Sequence, residues 1–343
     1  MKKPTISILL PVRNEEKFIG PCLDQIFRQE GLGDNFEVIV ADGMSTDRTR
    51  EIIRAYQVEH PNLILIDNPG KIVPTGMNAA LRLAHGEIIV RVDGHCMIAL
   101  DYVSRCVEHL QKDGVDGVGG PMETIGETPL SETIAVAMSS PFGVGNSYFR
   151  IEKGCTKLVD TMPFPAYTRA IIDRVGLYDE EMVRNQDDEY NYRIREEGGQ
   201  VLLAADVASK YFSRGNLGKL WKQYFQYGFY KVRVLQKHPR QMSFRQFVPP
   251  VFVAALVLSA LLALLVPWGG WLLAIVAVCY LAANLVASVI SARQCGWQHL
   301  LLLPVTFAIL HLSYGSGFLV GLAHFWNRWG DKKGRAPALK PAP

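Results

Sequence analysis

The chain has 343 residues, 20% of them charged, and a net charge of +3, and these averages hide a sharp division along its length. Between Arg245 and Arg328 the only residue among Asp, Glu, Lys and Arg is Arg293, which excludes a water-facing surface there and places the stretch in lipid. The residues before it mix both signs of charge with Gly and Pro punctuation, the pattern of a water-soluble domain with a sizeable core.

The soluble part reads as alternating strands and helices. The apolar run Ile6–Val12 ends in polar residues and suits a buried parallel strand; it is too short for a signal peptide and stops at Arg13. Phe18, Ile19, Cys22, Leu23, Ile26 and Phe27 recur at helical spacing. A second strand is expected over 36–43, a helix over 47–59, a third strand over 63–68, a helix over 75–85 opened by Pro74, and a fourth strand over 87–94. Such alternation with short connections predicts an α/β fold, a parallel sheet covered on both faces. The six cysteines (Cys22, Cys96, Cys106, Cys155, Cys279, Cys295) show no CxxC pair or zinc spacing and read as reduced thiols of a cytoplasmic domain.

From Lys210 to Arg245 every charge is positive, and aromatic residues are interleaved. Nucleic acid could be gripped this way, but the stretch leads straight into the apolar region, which favours a membrane surface and membrane lipids as partners and no nucleic acid. A basic, aromatic interfacial helix is expected over about 217–237, closing a domain 1–235. The membrane region, 246–327, divides into 248–266, 268–290 and 299–325; Pro304 and three glycines in the last leave it kinked, broken or re-entrant. The basic residues before 248 place the soluble domain in the cytoplasm, at the inner membrane. The basic tail, 328–343, asks for the same side, which three full crossings cannot satisfy; either the third segment returns or the tail crosses against its charge. The tail itself is expected to be disordered.

Ligands of such sheets bind beyond the carboxyl ends of the strands. Those ends carry Pro11, Arg13 and Glu15, then Asp42, Asp67 and Asp93-Gly94-His95. Asp93 and His95, spaced by glycine, can hold a divalent cation that bridges a diphosphate. Asp42 can accept hydrogen bonds from a nucleobase, though it can also cap the helix that follows, where Ser45 and Asp47 are better placed. Glu15 and the turn around it could hold a base and ribose, or be an ordinary helix N-terminus capped by Asn14. Lys71 and Asn78 add donors where phosphates would sit.

The segments ISILLPVRNEE, VIVADGMSTDRT, NPGKIVPTGMNAAL and EIIVRVDGH, in that order, resemble the family 2 glycosyltransferases, as does VGLYDEEMVRNQDDEYNYRIREEGG at 175–199. Within that family the chain is similar to bacterial exopolysaccharide glucosyltransferases of the succinoglycan type. The resemblance implies a GT-A, Rossmann-like nucleotide-diphospho-sugar transferase domain followed by a helical transmembrane module. It puts Pro11, Glu15 and Asp42 at nucleotide-binding positions, Asp93 at the ribose and metal position, and His95 at the last metal-ligand position. The usual Glu-Asp pair is here Gln186-Asp187; Tyr190 and Arg193 match the following positions, which makes Asp187 the general base, with Asp188 as the fallback. Phe164, Gln186 and Arg193 are expected on the acceptor side.

The family's Gln-x-x-Arg-Trp motif of processive synthases is missing, which implies single-sugar addition. The resulting expectation is an inverting, metal-dependent hexosyltransferase using a nucleotide-sugar donor, a UDP-sugar, and a lipid-linked acceptor. With His as a ligand, Mn²⁺ is favoured over Mg²⁺. The alternatives are a polyprenyl-phosphate sugar transferase, which needs no general base, and a non-catalytic nucleotide-binding scaffold at the membrane.

Overall fold

The computed structural model describes residues 5–33, 35–145, 147–151, 154–213 and 215–331. The tail expected to be disordered lies outside these from residue 332 onward. In chain order β1 (Ile6–Val12), α1 (Ile19–Phe27), β2 (Phe36–Asp42), α2 (Thr49–Glu59), β3 (Leu63–Asp67), α3 (Val73–Leu83) and β4 (Ile88–Arg91) alternate as the hydrophobic pattern requires. Next come β5 (Cys96–Ile98), α4 (Tyr102–Lys112), β6 (Gly117–Gly119), β7 (Met122–Ile125), α5 (Pro129–Met138), α6 (Pro141–Val144) and α7 (Tyr148–Ile151). The chain continues through β8 (Lys157–Leu158), β9 (Ala166–Thr168), α8 (Arg169–Val175), α9 (Gln186–Glu196), β10 (Val201–Leu203) and β11 (Ser209–Phe212). Four long helices follow: α10 (Leu217–Lys237), α11 (Val248–Leu265), α12 (Gly269–Cys295) and α13 (Leu303–His324).

These elements form two units. One holds residues 5–123 and 154–211, the other 124–151 and 212–331. A single block over 1–235 was expected; instead 124–151 and α10 group with the apolar helices. The reason is local bonding: Thr133 Oγ1 of α5 lies 2.8 Å from His299 Nδ1, and His311 Nε2 of α13 lies 2.8 Å from the Phe142 carbonyl of α6.

In the first unit the strands order as β3-β2-β1-β4-β9-β6-β10-β8. β1 is parallel to β2 and β4, and β2 is parallel to β3, whereas β9 runs antiparallel between β4 and β6. Ile8, Leu9, Leu10, Val38, Ile39 and Val40 are wholly buried, because helices cover both faces and both sets of alternating side chains must be apolar. Val12 pairs with Asp42, and Asp42 with Asp67, so three carboxyl ends finish level. Away from that edge, His109 of α4 bonds Asp113 through Nδ1 at 2.7 Å and Asp206 through Nε2 at 2.8 Å.

In the second unit α10 packs on α13 through Phe229 and Val232 against Phe318 and Tyr314, and beside these side chains the two backbones meet at glycines. A Cβ on Gly228 would sit 2.0 Å from the Tyr314 carbonyl oxygen, and one on Gly317 2.1 Å from that of Phe225. Small residues thus let the two backbones approach closely. This explains the glycines in the third apolar segment, which had suggested a break: α13 is one continuous helix, and Pro304 sits in its first turn, where no N–H is lost. Three helices, Phe244–Leu265, Gly269–Cys295 and Leu303–His324, are long and apolar enough to cross a membrane. The expected placement of basic side chains on lipid headgroups is corrected for part of α10. Lys231, Arg233 and Lys237 are buried in protein, and Arg233 bonds Gln236 Oε1 at 2.6 Å, while Lys219, Lys222 and Trp221 are exposed.

Two outcomes follow. Gly317→Val forces α10 and α13 apart and lowers stability by about 1–3 kcal/mol, read as a lower melting midpoint in detergent, whereas Gly270→Ala, with open space around its Cβ, leaves it unchanged. For His109, burial works against the charged ring, but hydrogen bonds to Asp113 and Asp206 outweigh it and raise its pKa. A raised folded-state pKa stabilises below the unfolded value of about 6.5 and the gain is lost as pH rises through the folded value. Melting should therefore fall on going from mildly acidic to alkaline buffer by a margin that His109→Gln reduces.

Candidate active site

The carboxyl edge of the sheet is built from turns that bond to one another. After β1, Asn14 takes a left-handed conformation (φ 55°), donates its backbone N–H to Ser45 Oγ at 2.9 Å and accepts the Thr46 N–H at 2.9 Å. The Glu15 N–H goes to Thr49 Oγ1 at 2.8 Å and the Glu16 N–H to Asp47 Oδ2 at 3.2 Å. Asn14 therefore joins two loops and does not cap α1, which begins at Ile19 without a side-chain cap. The other non-glycine residues with positive φ among those described, Met44, Lys71, Phe164 and Asn185, also lie in loops of this unit. Each left-handed residue costs about 1–3 kcal/mol, and such strain clusters where geometry serves a site.

Asp42 is fully buried. It accepts the Ser45 N–H at 3.0 Å and the Arg50 guanidinium at 2.7 Å, while the other arm of Arg50 reaches Asp67 at 2.7 Å. The carboxylate expected to face a nucleobase thus holds the loop and Arg50, and Arg50 is the group of that pair reaching solvent. Pro11 is buried; Arg13 and Lys71 are exposed. Asn78 is a correction: it is fully buried, donates to the Tyr178 carbonyl at 2.9 Å and Glu180 at 2.8 Å, and accepts the Tyr178 N–H at 2.8 Å. Its amide is spent on the loop before α9 and has nothing left for a phosphate.

That loop brings α9 to the sheet, and Arg91 receives it. Arg91 is 2% exposed on β4, an unusual place for a cation. Its Nε and Nη2 donate to Asp93 Oδ1 at 3.0 and 2.9 Å, and its Nη1 donates to Asp187 Oδ1. Burial alone would lower its pKa; Asp93 and its other neighbours more than restore it, so the charge is retained. Tyr178 backs the group, stacked on Tyr190 at 4.0 Å, its hydroxyl pushed up to about 12 by burial. One guanidinium therefore ties the expected metal ligand to the expected base. The sequence reading missed Arg91, although a lone charge inside the apolar run IIVRV was the available signal.

Asp187 and Asp188 stand in the first turn of α9, partly exposed, where the helix dipole favours the ionised form. Asp187 Oδ2, Asp93 Oδ2 and His95 Nε2 make no hydrogen bond among the described residues. His95 Nδ1 lies 2.9 Å from Glu15 Oε1, and Tyr211 packs edge-on at 5.3 Å. No group of three or more His, Cys, Asp or Glu side chains among the described residues is arranged to hold a metal ion. Asp93 and His95 offer two ligand atoms of a kind that suits a divalent cation: each is about one-fifth exposed, and each keeps one lone-pair atom unspent.

The residues expected at the acceptor side are placed differently. Arg193 is buried, and four of its five N–H groups go to Glu189 and to the Val175 and Leu177 carbonyls at 2.7–3.0 Å. It locks α9 to the preceding loop and is corrected to a structural role. Phe164 is 5% exposed, with its carbonyl taking the Tyr102 hydroxyl at 2.6 Å, and Gln186 is 7% exposed. None of the three presents more than a sliver of surface to an acceptor.

Residues 7–176 match the family model described as "Glycosyl transferase family 2". The chain is 30% identical over 330 residues to the succinoglycan biosynthesis protein ExoA of Rhizobium meliloti, covering 94% of this chain and 96% of that one. A dolichyl N-acetyl-α-D-glucosaminyl phosphate 3-β-D-2,3-diacetamido-2,3-dideoxy-β-D-glucuronosyltransferase of Methanococcus voltae is 28% identical over 240 residues, 68% of this chain and 74% of its own. In fold the chain is similar to the mannosyltransferase PcManGT of Pyrobaculum calidifontis, solved with GDP-Man and Mn²⁺. The TM-score is 0.55 at 21% identity, over 96% of this chain and 89% of that one.

Because a lysine ammonium cannot bridge both carboxylates in the plane of a guanidinium, Arg91→Lys should destabilise the first unit by about 1–3 kcal/mol in denaturant titration. An unchanged midpoint would mean that the bridge contributes nothing to folding.

Proposed function

The chain belongs to glycosyl transferase family 2, a GT-A glycosyltransferase with C-terminal apolar helices, and from that premise we propose that it transfers one sugar, with inversion, from a UDP-sugar to a lipid-linked acceptor. The observation that carries the reading is the Arg91 bridge, which sets a carboxylate with one unspent oxygen, Asp187, beside the strand-end Asp93. In a single displacement the acceptor hydroxyl gives its proton to Asp187 Oδ2 as its oxygen bonds the anomeric carbon. The bond from that carbon to the diphosphate breaks on the opposite face, and the nucleoside diphosphate leaves. Arg91 holds Asp187 by Oδ1 alone, which orients the carboxylate and leaves Oδ2 to work. Asp188, one position on, is the fallback base.

Asp93 Oδ2 and His95 Nε2 would hold a divalent metal, which when bound supplies positive charge against the leaving diphosphate. Arg13 and Lys71, exposed on the turns after β1 and β3, and Arg50, partly exposed in the first turn of α2, supply further positive charge for the nucleotide. Asp42 supports this edge through Arg50, and Pro11 is buried near the end of β1. The apolar helices would anchor the chain in the bilayer that carries the acceptor lipid, and the basic residues flanking 248 favour a cytoplasmic catalytic unit. Similarity to a succinoglycan biosynthesis protein over nearly the whole chain, and to an enzyme named for a dolichyl phosphate-linked substrate, supports a role in cell-surface or exopolysaccharide synthesis.

Asp187→Asn should lower transfer by about 10²–10⁴-fold with donor affinity unchanged, while Asp188→Asn changes it little. Retained transfer in Asp187→Asn would mean that the acceptor oxygen is already an anion, as in a polyprenyl phosphate. Failure of the wild type to transfer or hydrolyse any nucleotide sugar with Mn²⁺ would leave a non-catalytic scaffold. With a nitrogen ligand in the pair, Mn²⁺ should support a higher rate than Mg²⁺, and chelation should abolish it.

A further inference from the structure

Glu15 stands at a position that family resemblance gives to the nucleotide, yet its side chain turns to a different partner. Glu15 Oε1 lies 2.9 Å from His95 Nδ1, and the two side chains are equally and only partly exposed, at 20% each. The pair is built in rather than incidental. A Cβ on Gly94 would meet Glu15 Cγ at 3.3 Å and Val12 Cγ1 at 2.8 Å, so the glycine between Asp93 and His95 is what lets the Glu15 chain pass along the strand end. The Glu15 backbone is fixed as well, through its N–H on Thr49 Oγ1 at 2.8 Å.

We infer that Glu15 is a positioning residue for the metal site proposed above, selecting the tautomer of His95 that presents a lone pair at Nε2, and that it does not contact the nucleotide. This rests on the reading of Asp93 and His95 as metal ligands. A carboxylate oxygen can only accept, so the contact requires the proton on Nδ1. A neutral ring protonated at Nδ1 carries its lone pair at Nε2, the atom that makes no hydrogen bond among the described residues. That lone pair binds a cation and repels a phosphate oxygen. Glu15 thereby decides which of two chemistries His95 can serve: ligation of a divalent metal, or hydrogen-bond donation to the diphosphate. Carboxylate–histidine–metal arrangements raise ligand basicity and hold the ring in place, and loss of the outer carboxylate weakens metal binding about 10–100-fold. Tyr211, edge-on to the ring at 5.3 Å, limits rotation that would swing Nε2 away.

The test uses the full chain in detergent micelles, as wild type, Glu15→Gln and His95→Ala; Gln keeps the Cγ that packs on Gly94. Free Mn²⁺ is read by its paramagnetic resonance signal during titration with UDP present, and UDP binding is read separately with the metal chelated. Weaker Mn²⁺ binding in Glu15→Gln, by about 10–100-fold, with metal-free UDP binding unchanged, is the expected result. Mn²⁺ affinity unchanged in Glu15→Gln but lost in His95→Ala would overturn the inference and leave the metal site standing. Mn²⁺ affinity unchanged in both would overturn the metal site itself. Loss of metal-free UDP binding in Glu15→Gln would return Glu15 to the nucleotide. Independently of metal, the ¹⁵N resonances missing from His95→Ala should show, in the chelated wild type, a ring protonated at Nδ1; a ring protonated only at Nε2 would overturn the proposal.

Discussion

A cation sealed at the end of a central strand must be answered by carboxylates, and Arg91 draws its two from different parts of the chain. Asp93 lies two residues away, while Asp187 comes from a helix 96 residues later. A guanidinium that is 2% exposed cannot return to water, so the loop carrying α9 has to close over the sheet edge for the fold to be complete. Much of the loop's other bonding serves that closure. Asn78 holds Tyr178, Arg193 holds Leu177 and Val175, and Tyr178 stacks on Tyr190 behind the cation. Planarity matters here: one rigid fork fixes the angle between two carboxylates, which a flexible ammonium would not.

The same edge shows how strain and polarity are concentrated on one rim. The loops after β1 and β2 are joined by side chains that accept backbone N–H groups across the gap, with Asn14, Ser45, Asp47 and Thr49 all crossing between them, and Asp47 also takes the Thr49 N–H at the start of α2. The residues around the site are thereby held in place before any ligand arrives. Such pre-organisation spares a transferase the rearrangement of its dipoles during reaction.

In the helical unit the governing constraint is close approach. Gly228 and Gly317 let α10 and α13 touch backbone to backbone, and Gly143 does the same for α6 against the end of α5, where a Cβ would lie 2.1 Å from the Ala137 carbonyl oxygen. Polar groups in the apolar region pair with one another: His311 lies 3.0 Å from the Tyr280 hydroxyl, and Asn284 donates to the Pro304 carbonyl at 3.0 Å. Such pairing is what a bilayer demands of any polar side chain it encloses.

The alternation of apolar runs with 3.6-period segments determined the first four strands and three helices, and the charge-free region determined the apolar helices. Both follow from periodicity and transfer energetics that act on neighbours in sequence. The acidic strand ends were legible for the same reason, since a strand that stops at Asp93 announces itself locally. What each polar side chain does was not legible. Asn78 and Arg193 looked available and are spent on backbone carbonyls; Asp42 looked open and is closed by Arg50; Gly315, Gly317 and Gly321 looked like breaks and are contacts. Arg91 looked like nothing and sits between Asp93 and Asp187. Hydrogen-bond partners are chosen by distance in space, and only the folded chain brings residue 91 beside residue 187.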